Sequence, residues 1–148
     1  MRAANFWFML PALAVALSGC AILPSFVHLS PRECLIRAMY FESNRSSEEG
    51  MFAVATVVMN RLADPRYPKT VCGVVGQKKQ FAPGVLHKPM KEKRPVALAG
   101  RVADGVLAGA RHPGVRRAKF FHTAGLRFPY NNMHYVLEAG GNEFYEKR

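Results

Sequence analysis

The stretch Ser30-Pro31-Arg32-Glu33-Cys34-Leu35-Ile36-Arg37-Ala38-Met39-Tyr40-Phe41-Glu42 decides how the chain reads. A serine at an N-cap accepts a hydrogen bond from an orphan backbone N–H, and a proline at the first helical position gives up an N–H with no partner to lose. A glutamate three residues after the cap reaches back to the cap's own N–H. A helix therefore begins at this point. Leu35, Ala38 and Met39 stand at i, i+3 and i+4 on one stripe, and the next position on that stripe, i+7, is Glu42. Ser46-Ser47-Glu48-Glu49 reads as a second capping box. Met51, Val54, Ala55, Val58 and Leu62 mark the apolar face of a second helix, which Asp64-Pro65 stops.

Glu42 is the odd residue of this pattern. A carboxylate on an apolar stripe is costly unless it finds a partner or keeps its proton. The apolar face, the neighbours Tyr40 and Phe41, and the negative end of the helix dipole all raise its pKa, while Arg45 pulls the other way. The balance predicts an acid that releases its proton near neutral pH, as a general acid for glycosidic cleavage requires. The plainer alternative is a glutamate at a frayed helix end, turned to water or paired with Arg45 or Arg37.

Outward from these helices the chain is mixed. Residues 65–95 are rich in Pro, Gly and Lys and read as a long loop with a helical turn near Val71–Val75. A third helix is predicted over Pro95–Ala110 from Leu98, Ala99, Val102 and Val106, despite glycines at 100, 105 and 109. Lys119–Thr123 and Asn132–Val136 read as short strands. With 148 residues, 49% of them hydrophobic, the chain has enough material for one ordinary core.

At the N-terminus, Arg2 precedes an apolar run from Phe6 to Leu17, broken only by Pro11. That run is too short to cross a bilayer core of about 30 Å and reads as an export signal. Leu17-Ser18-Gly19-Cys20 resembles the bacterial lipobox, which implies cleavage before Cys20 and lipid on its sulfur; an ordinary cleavage site at Ala14-Val15-Ala16 is the alternative. The expected layout is a signal peptide over 1–19, a short linker over 20–30 and one domain over 31–148. The product would be an exported periplasmic lipoprotein, in the outer rather than the inner membrane, held there through Cys20 and monomeric. Such a protein does not meet chromosomal DNA, so a nucleic-acid partner is not expected.

Cys34 and Cys72 remain. In an oxidising compartment an even pair is most simply a disulfide, and closing a loop of this length is rated at about 3 to 4 kcal/mol. A cysteine nucleophile with a histidine base is the competing reading, although neither cysteine has the Gly-rich or aromatic setting usual for one. The five histidines, at 28, 87, 112, 122 and 134, show no metal-ligand spacing, so no metal and no organic cofactor is expected.

Three segments carry a resemblance. They are Cys34-Leu-Ile-Arg-Ala-Met-Tyr-Phe-Glu42, Glu49-Gly50-x-x-Ala53-Val54-Ala55-x-Val57-Val58-x-Asn60-Arg61, and Tyr67-Pro68-x-x-Val71-Cys72-Gly73-Val74-Val75-x-Gln77. Together they closely resemble the SleB-type cell wall hydrolases, and Gln80-Phe81, residues 118–122 and Gly140-Gly141-x-x-Phe144-Tyr145 look like the rest of the same domain. The resemblance implies an α+β, mainly helical, lysozyme-like domain with a small β portion in its second half, acting on the glycan strands of peptidoglycan. It implies Glu42 as the catalytic acid of a lytic transglycosylase, without cofactor, and it supports the Cys34–Cys72 pair. Three positions depart from the family pattern: Ser46 stands where a second Glu is common, Tyr130 where Trp is common, and Asn142 where a Gly-x-His element carries its histidine.

A glycosidase that uses water needs two carboxylates flanking the scissile bond, whereas a lytic transglycosylase needs one. Near Glu42 there are only Glu48 and Glu49, read as helix caps, which favours the single-acid chemistry. A muramidase-type hydrolase and an inactive peptidoglycan-binding lipoprotein are the alternatives. Aromatic residues at 81, 120, 121, 130 and 145 are candidates for a sugar groove, with Phe120 and Phe121 on opposite faces of a strand. The substrate-binding candidates are Asn60, Gln80, Phe81, Phe121, His122, Tyr130 and Tyr145, with Gln80 and His122 as donors to N-acetyl groups. The net charge of +11 is concentrated in residues 65–127, where 14 Lys and Arg face only Glu92 and Asp104. Such a surface suits the carboxylates of peptidoglycan peptides or anionic lipid.

Overall fold

The computed structural model describes residues 28–45 and 47–148. The signal segment, Cys20 with its proposed lipid, and Ser46 lie outside the described residues.

Helix α1 spans Pro31–Glu42, with Ser30 and Glu33 forming the reciprocal capping box that the sequence predicts. Its buried face is Cys34, Leu35, Ile36, Ala38, Met39 and Tyr40, wider than the predicted stripe. Helix α2 spans Glu48–Ala63. Its cap is Ser47, whose hydroxyl accepts from the Gly50 N–H, so the third helical position is a glycine and cannot reach back. The predicted second box is thus a one-sided cap, and Glu49 turns instead toward His112, 3.6 Å away. Helix α2 is buried on nearly every side, since Ala53 and Val57 join Met51, Val54, Ala55 and Val58 in the core.

Helix α3 is the predicted turn Val71–Val75, capped by the Thr70 hydroxyl. Helix α4 runs Lys93–Leu107 rather than Pro95–Ala110. It starts earlier because proline fits a first turn. It stops at Leu107 because Gly109, just past the cap, has a φ of +111°, and the Ala110 N–H returns to the Gly105 carbonyl and the Gly109 N–H to that of Val106. Helices α1, α2 and α4 pack mutually, and α3 closes one side of α1 and α2. The Cys34–Cys72 disulfide ties α1 to α3, which excludes the free thiol nucleophile.

Three strands follow a 3-10 turn at Pro113–Val115: β1 Phe120–Thr123, β2 Met133–Ala139 and β3 Asn142–Lys147. All pairings are antiparallel, in the order β1-β3-β2. The strand at 142–147, central in this sheet, is absent from the sequence reading. Gly140-Gly141 is the two-residue turn between β2 and β3, with φ of +58° and +80°. Such a pair of positive φ values matches the right-handed twist of a hairpin and favours glycine. The tip docks on the start of α2 so closely that a Cβ on Gly50 would lie 2.4 Å from the Gly140 Cα.

Among the described residues no helix is long and apolar enough to cross a membrane, and no group of three or more His, Cys, Asp or Glu side chains is placed to hold a metal ion.

Candidate active site

Glu42 ends α1 and is half-buried. One carboxylate oxygen accepts the Ala82 backbone N–H, so the loop after α3 holds the side chain in place. Its backbone carbonyl accepts the amide N–H of Asn142, a buried residue at the start of β3. The Asn44 N–H, two residues further on, donates to the Gly140 carbonyl at 2.8 Å. Helix end, loop and hairpin thus converge on one acid. Asn142 thereby supplies an N–H donor to the end of α1.

Burial raises the Glu42 pKa above the ordinary carboxylate value; the Ala82 hydrogen bond and the charges of Arg61 and Lys88 oppose it without cancelling it. Arg45 and Arg37 are not among its partners. Arg45 pairs with Glu92 and lies over the Tyr40 ring, and Arg37 donates to the Lys88 carbonyl. The frayed-end alternative is therefore not what forms.

Arg61 is 3% exposed, and its Nε donates to the Lys119 carbonyl at 2.7 Å. Its guanidinium lies 5.1 Å from the centre of the Phe81 ring and 5.7 Å from that of Tyr67. Burial lowers its pKa, and its charge acts on both Glu42 and Tyr145. Sequence reasoning assigned Arg61 no role, although a signal was present. It stands at i+7 from Val54 and i+3 from Val58 on the apolar face of α2, as Glu42 stands on that of α1. Opposite charges on two buried stripes are that signal, and in the structure each acts electrostatically on the other.

The aromatic candidates divide by strand face. Phe121 turns to the core, with ring centres 6.2 Å from Phe81 and 5.5 Å from Phe144. Phe120 turns outward and stacks on Tyr145 at 5.4 Å. Tyr145, its pKa raised mainly by burial, also meets His122 and Tyr135. The His122 Nε2 lies 2.8 Å from the Tyr135 hydroxyl and its Nδ1 2.8 Å from the Thr123 carbonyl. Since a carbonyl only accepts, the Nδ1–H of His122 donates to Thr123. Tyr130, 66% exposed, stacks on Phe128, which in turn meets His122 edge-on. An aromatic surface therefore extends from Tyr145 across the sheet to Tyr130. Gln80 is exposed, next to Phe81. The Asn60 amide donates to the Arg116 and Ala118 carbonyls at 3.0 and 2.9 Å and fastens the approach to β1 onto α2.

The loop that anchors Glu42 also borders a cavity of about 420 Å³ lined by Gln77, Phe81, Ala82, Val85 and Leu86 among others. Of the other carboxylates, Glu92 pairs with Arg45, Asp104 with Arg32, and Asp64 with Arg66 and Lys119. Glu143, beside Asn142 on β3, lies 3.7 Å from Arg127 and 3.9 Å from His122.

The profile of the family described as Cell Wall Hydrolase matches residues 45–145, beginning three residues after Glu42. The catalytic domain of the germination-specific lytic transglycosylase SleB from Bacillus anthracis superposes with a TM-score of 0.63 at 21% identity, covering 84% of this chain and 100% of that one. The catalytic domain of the Bacillus cereus SleB protein gives a TM-score of 0.59 at 20% identity, covering 81% of this chain and 94% of that one. No curated protein sequence matches the chain. The helical body with its small C-terminal sheet is the fold of those two domains. With its profile matched over more than two thirds of the length, the chain belongs to the Cell Wall Hydrolase family.

Proposed function

We propose that this peptidoglycan-cleaving enzyme is a lytic transglycosylase that cuts the β-1,4 bond between N-acetylmuramic acid and N-acetylglucosamine, with Glu42 as its single acid and base. The observation that carries the reading is one carboxylate with a raised pKa, fixed by a backbone N–H and opposed by a buried arginine. Protonated Glu42 gives its proton to the bridging oxygen as the glycosidic bond breaks. The resulting carboxylate then takes the proton of the muramic C6 hydroxyl as that oxygen bonds to C1, closing a 1,6-anhydro ring. Proton and electron pair balance, and the substrate supplies its own nucleophile. Arg61 keeps the carboxylate form from being prohibitively costly, so that one group can serve both steps.

Phe81 and Phe121 support the groove wall from the core side, while Tyr145, His122 and Tyr130 offer ring faces and edges to successive sugars. Gln80 contributes an exposed amide at the groove edge. Asn60, its amide committed to two carbonyls, acts on the groove only through the segment it fastens. The enzyme is proposed to work as an exported periplasmic monomer, anchored through lipid on Cys20 to the outer membrane.

Digestion of purified sacculi followed by mass spectrometry tests the reading. Anhydromuropeptides released by the wild type and lost in Glu42→Gln are the expected result. Reducing muramic ends in their place would transfer the reading to a muramidase, for which Glu143, held beside His122 and Arg127, is the candidate second carboxylate. No soluble product from the wild type would leave a binding protein.

A further inference from the structure

At the far end of the outward sheet face lies a second cavity, of about 430 Å³, lined by Arg66, Arg117, Lys119, Phe120, Glu146 and Lys147 among others. Its charges do not cancel. Asp64 is shared by Arg66 and Lys119, each 2.7 Å away. Glu146 accepts a backbone N–H, that of Arg117, at 3.2 Å. Among the described residues neither the Arg117 guanidinium nor the Lys147 ammonium pairs with a carboxylate, and Lys147 lies 4.6 Å above the Phe120 ring. Five basic side chains, Arg148 included, thus line one concavity with a single acidic side chain, Glu146, while Asp64 pairs with two of the five from outside it.

The cavity adjoins the catalytic cluster. Phe120, in its wall, stacks on Tyr145, and the Lys119 carbonyl holds Arg61, whose charge acts on Glu42. From Tyr145 to Lys147 is two residues of strand, about 7 Å.

We infer that this cavity is a subsite for the free carboxylates of the acidic peptide carried on the muramic lactyl group of the strand being cut. The inference rests on the peptidoglycan reading above and adds to it which part of the polymer the basic surface holds. Three extended residues reach about 10 Å, enough to pass from a sugar over Tyr145 to Lys147 and Arg117. Lys147 is exposed, and its ammonium lies over the Phe120 ring at the cavity's edge, where it can meet a carboxylate arriving from solvent.

The test compares strands bearing their peptides with strands stripped by an amidase, using the full chain at low salt. For the Arg117→Gln/Lys147→Gln double variant, the ratio of kcat/KM on peptide-bearing to stripped strands is expected to fall about fivefold to tenfold, and the fall to disappear as added salt screens the charges. Glu146→Gln, which removes the cavity's own acid, is expected to raise that ratio, a gain that damage to the fold does not produce. Independently of any cleavage, the tripeptide L-Ala-γ-D-Glu-meso-diaminopimelate is expected to shift the amide resonances of Phe120 and Lys147 in the wild type and not in the double variant. This last arm decides the subsite even where no glycan is cut. Equal losses on both kinds of strand, absence of tripeptide shifts, or variants that keep the ratio while losing binding to phosphatidylglycerol vesicles would each overturn the inference, the last by assigning the surface to the membrane.

Discussion

Gly50→Ala tests the join on which the site depends. A Cβ at position 50 would stand 2.4 Å from the Gly140 Cα and 3.0 Å from its backbone nitrogen. Both are main-chain atoms of a tight turn, so no side chain can swing aside, and the hairpin tip must lift. Overpacking of this kind costs about 1 to 3 kcal/mol, while removing a helical glycine returns about 0.5 to 1 kcal/mol. The net destabilisation is about 1 to 2 kcal/mol, which for a domain of this size lowers Tm by about 3 to 10 °C. The same lift pulls Asn142 away from the Glu42 carbonyl and Gly140 from Asn44, so kcat on sacculi falls along with Tm. Gly105→Ala, on α4, is the internal control. Its Cβ would meet nothing closer than the Ala110 Cβ at 4.0 Å, and it is expected to stabilise by about 0.5 to 1 kcal/mol. Thermal unfolding and product release measured together decide the matter: a Gly50→Ala protein as stable and as active as wild type would refute the close approach.

Glu42→Gln is expected to lower cleavage by about 10²- to 10⁴-fold. Because the folded-state pKa of Glu42 is raised, the folded protein holds that proton more tightly than the unfolded chain, and wild-type stability falls as pH rises through the window above the ordinary carboxylate value. Glutamine removes this dependence, so the variant should unfold at a higher temperature than wild type at neutral pH, with the gap closing in acid. Removing the Arg61 charge by Arg61→Met is expected to move the alkaline limb of the pH–rate profile upward, since Glu42 loses a charge that favours its ionised form, whereas Arg61→Lys should keep the limb near its wild-type position; identical limbs in both would remove Arg61 from the site's electrostatics. Replacing Cys34 and Cys72 together by alanine releases a closed loop and should cost about 3 to 4 kcal/mol, read by denaturant titration with and without reductant.

The helices were legible because their signals are local. The capping box at Ser30 and Glu33, the stripe from Leu35 to Glu42 and the stop at Asp64-Pro65 each depend on residues within one or two turns. The family resemblance was legible for the same reason, as its motifs lie along those helices. The central strand at 142–147 was missed because a strand is fixed by its pairing partners, here Phe120–Thr123 and Met133–Ala139, and the residues it pairs with in the first of these lie 19 to 25 positions away. The Gly140-Gly141 dipeptide between two alternating segments was its local trace. The end of α4 was misplaced by three residues because the choice between continuing and turning left-handed at Gly109 is made by two hydrogen bonds, not by hydrophobic spacing.

By itself, the sequence determined that a lone carboxylate sits at the end of an apolar helix face, that a basic excess follows it, and that a family pattern surrounds it. Only the tertiary structure decided what that carboxylate meets. The Ala82 N–H, the Asn142 amide and the Arg61 charge come from a loop, a strand and a second helix, 40, 100 and 19 residues away in the chain. A side chain's ionisation depends on every dipole, charge and displaced water around it in three dimensions, and spacing along one helix reports only which face it occupies.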